Sequence, residues 1–401
     1  MPANADPFPS RHDLSLYIHV PYCRVRCGYC AFSSRPLPAP GEPGGLGIYL
    51  PALLAEIAQW GQRLATPDGL ARIATIFFGG GTPSLLPAET LIDILDALRQ
   101  HFDLTATTEI TTEANPESAT PDFLRAARAC GINRLSLGVQ SLDDHFLRQL
   151  ARPHTAAQAR ETIRNARNAG FTNLGLDLIW GLPGQTAEHW LGTLHQALSL
   201  QPDHLSCYGL SIEPGTPLER SLTSLPALPS EDDLERMYLE GGALLDEAGF
   251  EHYEISNHAR PGRRCQHNLL GWKGQDYLGL GPAAVSTLYS LPTPQRWTNP
   301  TDPVQWATAV HAGHLHSDHF GPDHPSPAQL DPLTPEHIRQ ERLMLGLRTA
   351  LGAPVSAFPQ HGALISQLIQ QGMAVLSGGQ LRLTRTGMLV SSSVIEALVF
   401  E

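Results

Sequence analysis

Short apolar or β-branched runs alternate with amphipathic stretches through the first half of the chain. Leu14–Val20, Ile73–Phe78, Thr108–Ala114, Arg134–Val139, Asn173–Leu178 and His204–Gly209 read as strands. Between them, Ile48–Leu64, Ala88–Phe102, Pro121–Cys130, Ala156–Ala169 and Ala187–Leu200 space their apolar residues as helices do. Strands alternating with helices predict parallel βα units. Six such strands by residue 209 suit an α/β fold with a partial (βα)6 barrel better than a closed eightfold one. In parallel barrels ligands gather at the C-terminal ends of the strands. Cys23, Gly79 to Thr82, Glu113, Gln140, Asp177 and Tyr208 all fall there.

Beyond the barrel the pattern weakens. Glu231–Gly249 predicts one more helix, and Phe250 to about Pro300 shows little regular periodicity. Residues 317–335 are rich in Pro, Asp and His and read as a linker. From Glu336 the pattern predicts a small helical domain ending in a hairpin, with Leu381–Thr384 alternating and Val390–Val399 as a closing helix. The expected organisation is an N-terminal extension at 1–13, a partial barrel at 14–250, a barrel-closing segment at 251–316, the linker, and a C-terminal helical domain at 336–401.

Composition narrows the chemistry. The 401 residues carry 27 basic and 39 acidic side chains, a formal charge of −12, which argues against nucleic acid as a partner. No apolar run is long enough to span a membrane, and residues 1–12 lack the charged-then-apolar order of a secretory signal. Lys273 is the sole lysine and follows Trp272, so a P-loop is excluded, and a Schiff-base enzyme would have only this residue to use.

Six cysteines are present, three of them within Cys23-Arg-Val-Arg-Cys27-Gly-Tyr-Cys30. In a reducing cytoplasm, the compartment expected here, a C-x3-C-x2-C triplet is a metal or cluster site and not a disulfide network. Three thiolates can hold three corners of a cubane iron–sulfur cluster, leaving one iron open; the usual complement is four. A zinc site is the other reading, although structural zinc usually takes four protein ligands in two pairs. Arg24 and Arg26 flank the loop and favour thiolates.

C-x3-C-x2-C directly after the first strand resembles the signature of the radical S-adenosylmethionine (SAM) superfamily. The resemblance implies a 4Fe–4S cluster on Cys23, Cys27 and Cys30, with SAM chelating the open iron. Gly79-Gly-Gly-Thr-Pro83, Glu113-Ala-Asn-Pro116, Gly138-Val-Gln-Ser-Leu142 and Leu176-Asp-Leu-Ile-Trp-Gly-Leu-Pro-Gly-Gln185 match further positions of that pattern. Within the superfamily, the chain resembles the oxygen-independent coproporphyrinogen III oxidase family. That likeness implies a SAM site of Tyr17, Tyr29, Gly80, Gly81, Thr82, Glu113, Gln140, Arg152, Asp177, Gly209 and Val285. Taken singly, each of the polar residues is equally explained by a capping or core hydrogen bond.

One departure separates two branches. The oxidases of that family read C-x3-C-x2-C-x-C and carry a longer leader; here the position of the fourth cysteine is Phe32, and Cys23 lies close to the start. Both features resemble the sister group of HemW-type heme chaperones. That group carries an H-N-x-x-x-W motif, matched here by His267, Asn268 and Trp272 in Cys265-Gln-His-Asn-Leu-Leu-Gly-Trp272. The resemblance implies heme as a third ligand, an acceptor hemoprotein, a low-potential electron donor such as a flavodoxin-like protein, and no coproporphyrinogen oxidase activity. Imidazole is a common axial ligand of heme iron and indole can stack on a porphyrin. A histidine bonded within the core, with Trp272 as packing, is the competing account. Tyr253 and Glu254 are expected to be structural.

Overall fold

A computed structural model describes residues 14–67, 69–291, 293–313 and 329–400. The N-terminal extension and most of the stretch read as a linker therefore lie outside the described residues. Six parallel strands form the barrel wall: β1 (Leu14–Val20), β2 (Arg72–Gly80), β3 (Asp103–Ala114), β4 (Arg134–Gln140), β5 (Leu174–Trp180) and β6 (His204–Gly209). Helices α1 (Leu46–Leu64), α2 (Ala88–His101), α3 (Pro121–Ala129), α4 (Ala156–Asn168) and α5 (Ala187–Ser199) alternate with them. Thr155 and Thr186 start α4 and α5 with reciprocal capping boxes, which satisfy N–H groups the helices cannot.

The alternation along β1 shows how the wall works. Leu16, Ile18 and Val20 are fully buried in the apolar shell that includes Tyr49, Leu53 and Ile57 of α1. The intervening Ser15, Tyr17 and His19 turn the other way, and Ser15 Oγ accepts from Thr75 Oγ1 of β2 at 3.0 Å. Strand side chains alternate faces, so one register fixes which set meets the helices and which meets the lumen.

The segment Phe250–Pro300, expected to lack regular structure, instead extends the sheet at both edges. Tyr277–Leu280 pairs parallel with β1 as a seventh parallel strand, followed outward by antiparallel Val285–Leu288, Gln295–Thr298 and Gln329–Pro332. At the other edge, Asn257–Ala259 pairs antiparallel with β6, and Glu251–Glu254 with Asn257–Ala259. These strands are three or four residues long, too short to show a period in sequence. Gln329–Pro332 shows that the end of the stretch read as a linker joins the sheet.

The C-terminal region has its own apolar cluster, which includes Leu347, Phe358, Leu381 and Val399. It combines helix Pro335–Leu347 with a three-stranded sheet. The alternation read at Leu381–Thr384 is strand Gln380–Leu383, central in that sheet. The closing helix is an α-turn at Ser391–Ile395 that widens into a π-helix over Glu396–Phe400. Arg385 pairs with Asp246, and Arg296 with Glu341, tying this region to the barrel.

Candidate functional site

Cys23, Cys27 and Cys30 line one cavity of about 550 Å³ at the C-terminal mouth of the barrel. The loop that carries them is anchored by backbone bonds. Gly28 N donates to Leu150 O at 3.2 Å, Gly28 O accepts from Leu218 N at 2.8 Å, and Arg35 N donates to Pro21 O at 2.8 Å. All three thiols are free. Burial pushes the Cys30 thiol up, against a hydrogen bond from the Phe32 backbone, and charge on Cys27 and Cys23 adds to the rise.

A hydrogen-bonded chain joins two of the sulfurs through the strand ends. Thr82 Oγ1 donates to Cys23 Sγ at 3.5 Å and accepts from Asn115 Nδ2 at 3.1 Å. Asn115 Oδ1 accepts from Arg152 Nη2 at 2.7 Å, and Arg152 Nη1 donates to Cys27 Sγ at 3.0 Å. Asn115 was missed in the sequence, although its place just past β3, before Pro116, marks it as a strand-end residue facing the mouth. Gly138 O also accepts from Arg152, at 2.9 Å.

Tyr29, Gly80, Gly81, Glu113, Gln140, Asp177 and Gly209 are among the residues that complete the cavity walls. Gly80 has φ of 103°, and its N–H donates to Glu113 Oε2 at 3.2 Å. A methyl group at Gly81 would lie 2.5 Å from Tyr22 O, so only glycine lets this turn approach the cysteine loop. Gln140 ends β4 with φ of 63°, a left-handed conformation rare for a side-chain-bearing residue and often found at functional sites. Burial, then the Asp177 charge, pushes the Glu113 carboxyl up to about 8. Asp177 is also raised, chiefly by burial, while Ser136 Oγ donates to it at 3.2 Å.

Tyr17, His267 and Asn268 lie elsewhere. They line a second, inner cavity of about 250 Å³, with Phe77, Arg134, His204 and Ser206; Glu113, Asp177 and Tyr208 border both spaces. Helix Gln266–Trp272 packs at this level against β2 and β3. Its first N–H groups, on Gln266 and His267, donate to the Glu109 carboxylate at 3.1 Å each. His267 Nδ1 is 2.9 Å from Thr75 Oγ1, and its ring stacks on Phe77 with centroids 5.0 Å apart. Burial, then the Arg134 charge, pushes this imidazole down to about 4. Trp272 and Val285 line neither cavity.

The donor set bears on the metal question left open by the sequence. A single zinc ion needs its ligands to converge within about 2.3 Å of one point. Among the described residues, no group of three His, Cys, Asp or Glu side chains is arranged to hold a single metal ion. Three thiols on one cavity of about 550 Å³, with a glycine turn and a buried arginine against them, leave room for a cluster and a chelating ligand.

Fold and site together define a barrel protein whose strand ends present a cysteine triplet to a polar pocket. Residues 17–197 match the radical SAM superfamily, and residues 333–390 match the HemN C-terminal domain. Heme chaperone HemW of Mycobacterium tuberculosis is 34% identical over 397 residues, spanning 98% of this chain and 96% of that protein. Heme chaperone HemW of Escherichia coli is 41% identical over 271 residues, 68% of this chain and 69% of that one. The mitochondrial radical S-adenosyl methionine domain-containing protein 1 of Bos taurus is 35% identical over 412 residues, covering 98% and 89%. Coproporphyrinogen III oxidase (HemN) from E. coli shares the fold, with a TM-score of 0.78 at 23% identity over 97% of this chain and 90% of that one. The chain belongs to the radical SAM superfamily and, within it, to the family of the heme chaperone HemW proteins.

Proposed function

We propose that this protein is a cytoplasmic heme chaperone that binds a 4Fe–4S cluster, SAM and heme, and passes heme to an acceptor hemoprotein. The observation that carries this reading is likeness to HemW proteins along almost the whole chain; Phe32, at the position where the family resemblance implies a fourth cysteine in the oxidases, supports it. Cys23, Cys27 and Cys30 would hold the cluster, with Arg152 and Thr82 donating to its thiolates. When bound, the cluster supplies an open iron for SAM and a one-electron couple fed by a low-potential donor. Gly80, Gly81, Thr82, Glu113, Gln140, Arg152 and Asp177 would surround SAM; Tyr29 and Gly209 would close its sides. Tyr17 would support Glu113 from below, and Val285 would act only through the strand beside β1. No helix among the described residues is long and apolar enough to cross a membrane.

Anaerobic reconstitution should load about four irons per chain, the content of one cubane, and Cys27→Ala should lose them. Hemin should then bind with a Soret shift and move to an apo-hemoprotein on mixing. Zinc without sulfide in the reconstituted protein would end the cluster reading. Sustained protoporphyrinogen formation from coproporphyrinogen III with SAM and dithionite would replace the chaperone reading with the oxidase one. Methyl-label transfer from SAM to a tetrapyrrole would replace it with a different radical SAM reaction.

A further inference from the structure

Asn115 stands between the two side chains that donate to the cysteine sulfurs. As an amide it carries an acceptor on one atom and a donor on the other. Arg152 can only donate, so the atom 2.7 Å from its Nη2 is the amide oxygen. The amide nitrogen therefore faces Thr82, and Asn115 Nδ2 donates to Thr82 Oγ1 at 3.1 Å. A hydroxyl that accepts there keeps its single proton for another partner, and Cys23 Sγ lies 3.5 Å away. On the other side, Arg152 Nη1 donates to Cys27 Sγ at 3.0 Å. One amide thus sets the direction of the whole chain, with a proton ending on each of two sulfurs. The amide is held ready by its own backbone. Asn115 N donates to Ser84 Oγ at 3.2 Å, and Asn115 O accepts from Ser118 N at 3.0 Å and Ala119 N at 2.9 Å. These main-chain bonds hold the turn after β3; the two side-chain bonds go to the sulfur donors. Space is kept for them as well, since a methyl group on Gly138 would lie 2.7 Å from Asn115 Oδ1.

We propose that Asn115 is a positioning residue that sets the reduction potential of the cluster, by aiming Thr82 at Cys23 and Arg152 at Cys27. The assignment rests on the cluster reading. Hydrogen bonds to the sulfurs and nearby positive charge favour the reduced state, which carries one more electron. Asn115→Asp keeps the size of the side chain and replaces its donor with a second acceptor. The Thr82 hydroxyl would then donate to the carboxylate instead of Cys23, and a negative charge would pair with Arg152. Both changes favour the oxidised cluster.

The test is a redox titration of the anaerobically reconstituted full-length protein without SAM, followed by electron paramagnetic resonance, with dithionite supplying the single electron. Iron and sulfide are counted for every variant. Asn115→Asp should shift the reduction equilibrium about tenfold toward the oxidised form, ~59 mV for one electron. Thr82→Val, which removes the hydroxyl at nearly constant shape, should shift it about fivefold the same way, the effect of one lost hydrogen bond. Thr82→Ser, which keeps the hydroxyl, should match the parent. Asn115→Ala carries the test if the aspartate variant takes up no iron, with a shift of about fivefold in the same direction. Unchanged equilibria in the loaded Asn115 and Thr82→Val variants would overturn this role and leave the cluster reading standing. A parent that holds no iron and sulfide would overturn both.

Discussion

Glu254 offers the sharpest test of the buried electrostatics. It ends the strand Glu251–Glu254, is 1% exposed, and accepts from Ser256 N at 3.2 Å. Burial pushes its carboxyl up to about 7 from an ordinary 4.5, against the hydrogen bonds from Ser256 and Asn257. The folded state therefore holds this proton more tightly than the unfolded chain does. Stability falls as pH rises through the interval from 4.5 to 7, and the full penalty is present above it. Integrating the two titrations gives a loss of about 2–3 kcal/mol between pH 5 and pH 8, at 1.36 kcal/mol per unit. Glu254→Gln has nearly the same shape and no charge to bury. Any fixed cost of the amide, such as an unpaired N–H, cancels when the variant is compared with the parent at each pH. Urea unfolding at pH 5, 6, 7 and 8 should show the variant gaining on the parent by about 2–3 kcal/mol across the series, roughly 1 M in midpoint at an m-value of 2–3 kcal/mol/M. A difference that stays flat with pH would show that Glu254 is ionised at no cost and refute the reasoning.

His267 should behave in the opposite sense. Its folded-state value near 4 lies below the ordinary 6.5, so stability is present above 6.5 and is lost as pH falls toward 4. Because the ring lines a cavity that can admit water, the loss at pH 5 should be about 1–2 kcal/mol, and His267→Gln should abolish that part of the acid sensitivity in the same unfolding assay. Glu109→Ala removes the acceptor for two helix N–H groups and should cost about 1–2 kcal/mol, read as a lower urea midpoint with unchanged m-value. Gly81→Ala forces a methyl group onto Tyr22 O and should cut SAM binding at least tenfold by calorimetry, with the fold retained by circular dichroism.

Legibility in the sequence followed apolar area. All six barrel strands and five intervening helices were readable to within a few residues at most ends, because their outward faces feed one shell in which residues such as Leu16, Ile76, Leu135, Leu176 and Leu205 are entirely buried. β3 is the exception. It begins at Asp103, five residues before the expected Thr108, because its first half is polar and mostly exposed and gives no apolar period. The edge strands failed for a related reason. A run such as Tyr277-Leu-Gly-Leu280 becomes a strand because β1 offers it a parallel partner, and that partner lies some 260 residues away in sequence. A local window cannot contain the cause.

The site divided along the same line, but by face. Residues near the strand ends were readable because polar or glycine residues there interrupt an apolar pattern: Gly80, Glu113 and Gln140 line the mouth, and Asp177 joins them from the middle of β5. The lumen below was not. A closed parallel barrel fills its interior with branched apolar side chains; here the equivalent positions hold Tyr17, Arg134, Ser136, His204 and Ser206, facing a cavity instead of a packed core. Arg134 is 2% exposed, with negative charge from Cys265, Glu109, Tyr253 and Asp177 favouring its cation against the cost of burial. Nothing in the run Arg134-Leu-Ser-Leu distinguishes such a residue from a solvent-facing strand position, since alternation alone does not say which side is water. The H-N-x-x-x-W motif suffers the same ambiguity. His267 and Asn268 face that lumen, whereas Trp272 does not, so the motif's spacing is first a consequence of one short helix seated on Glu109. Stability of this protein therefore resides in the shell between strands and helices, while the polar lumen is carried at a cost, and substitutions that neutralise lumen charges without disturbing the shell should raise stability while altering what the mouth can hold.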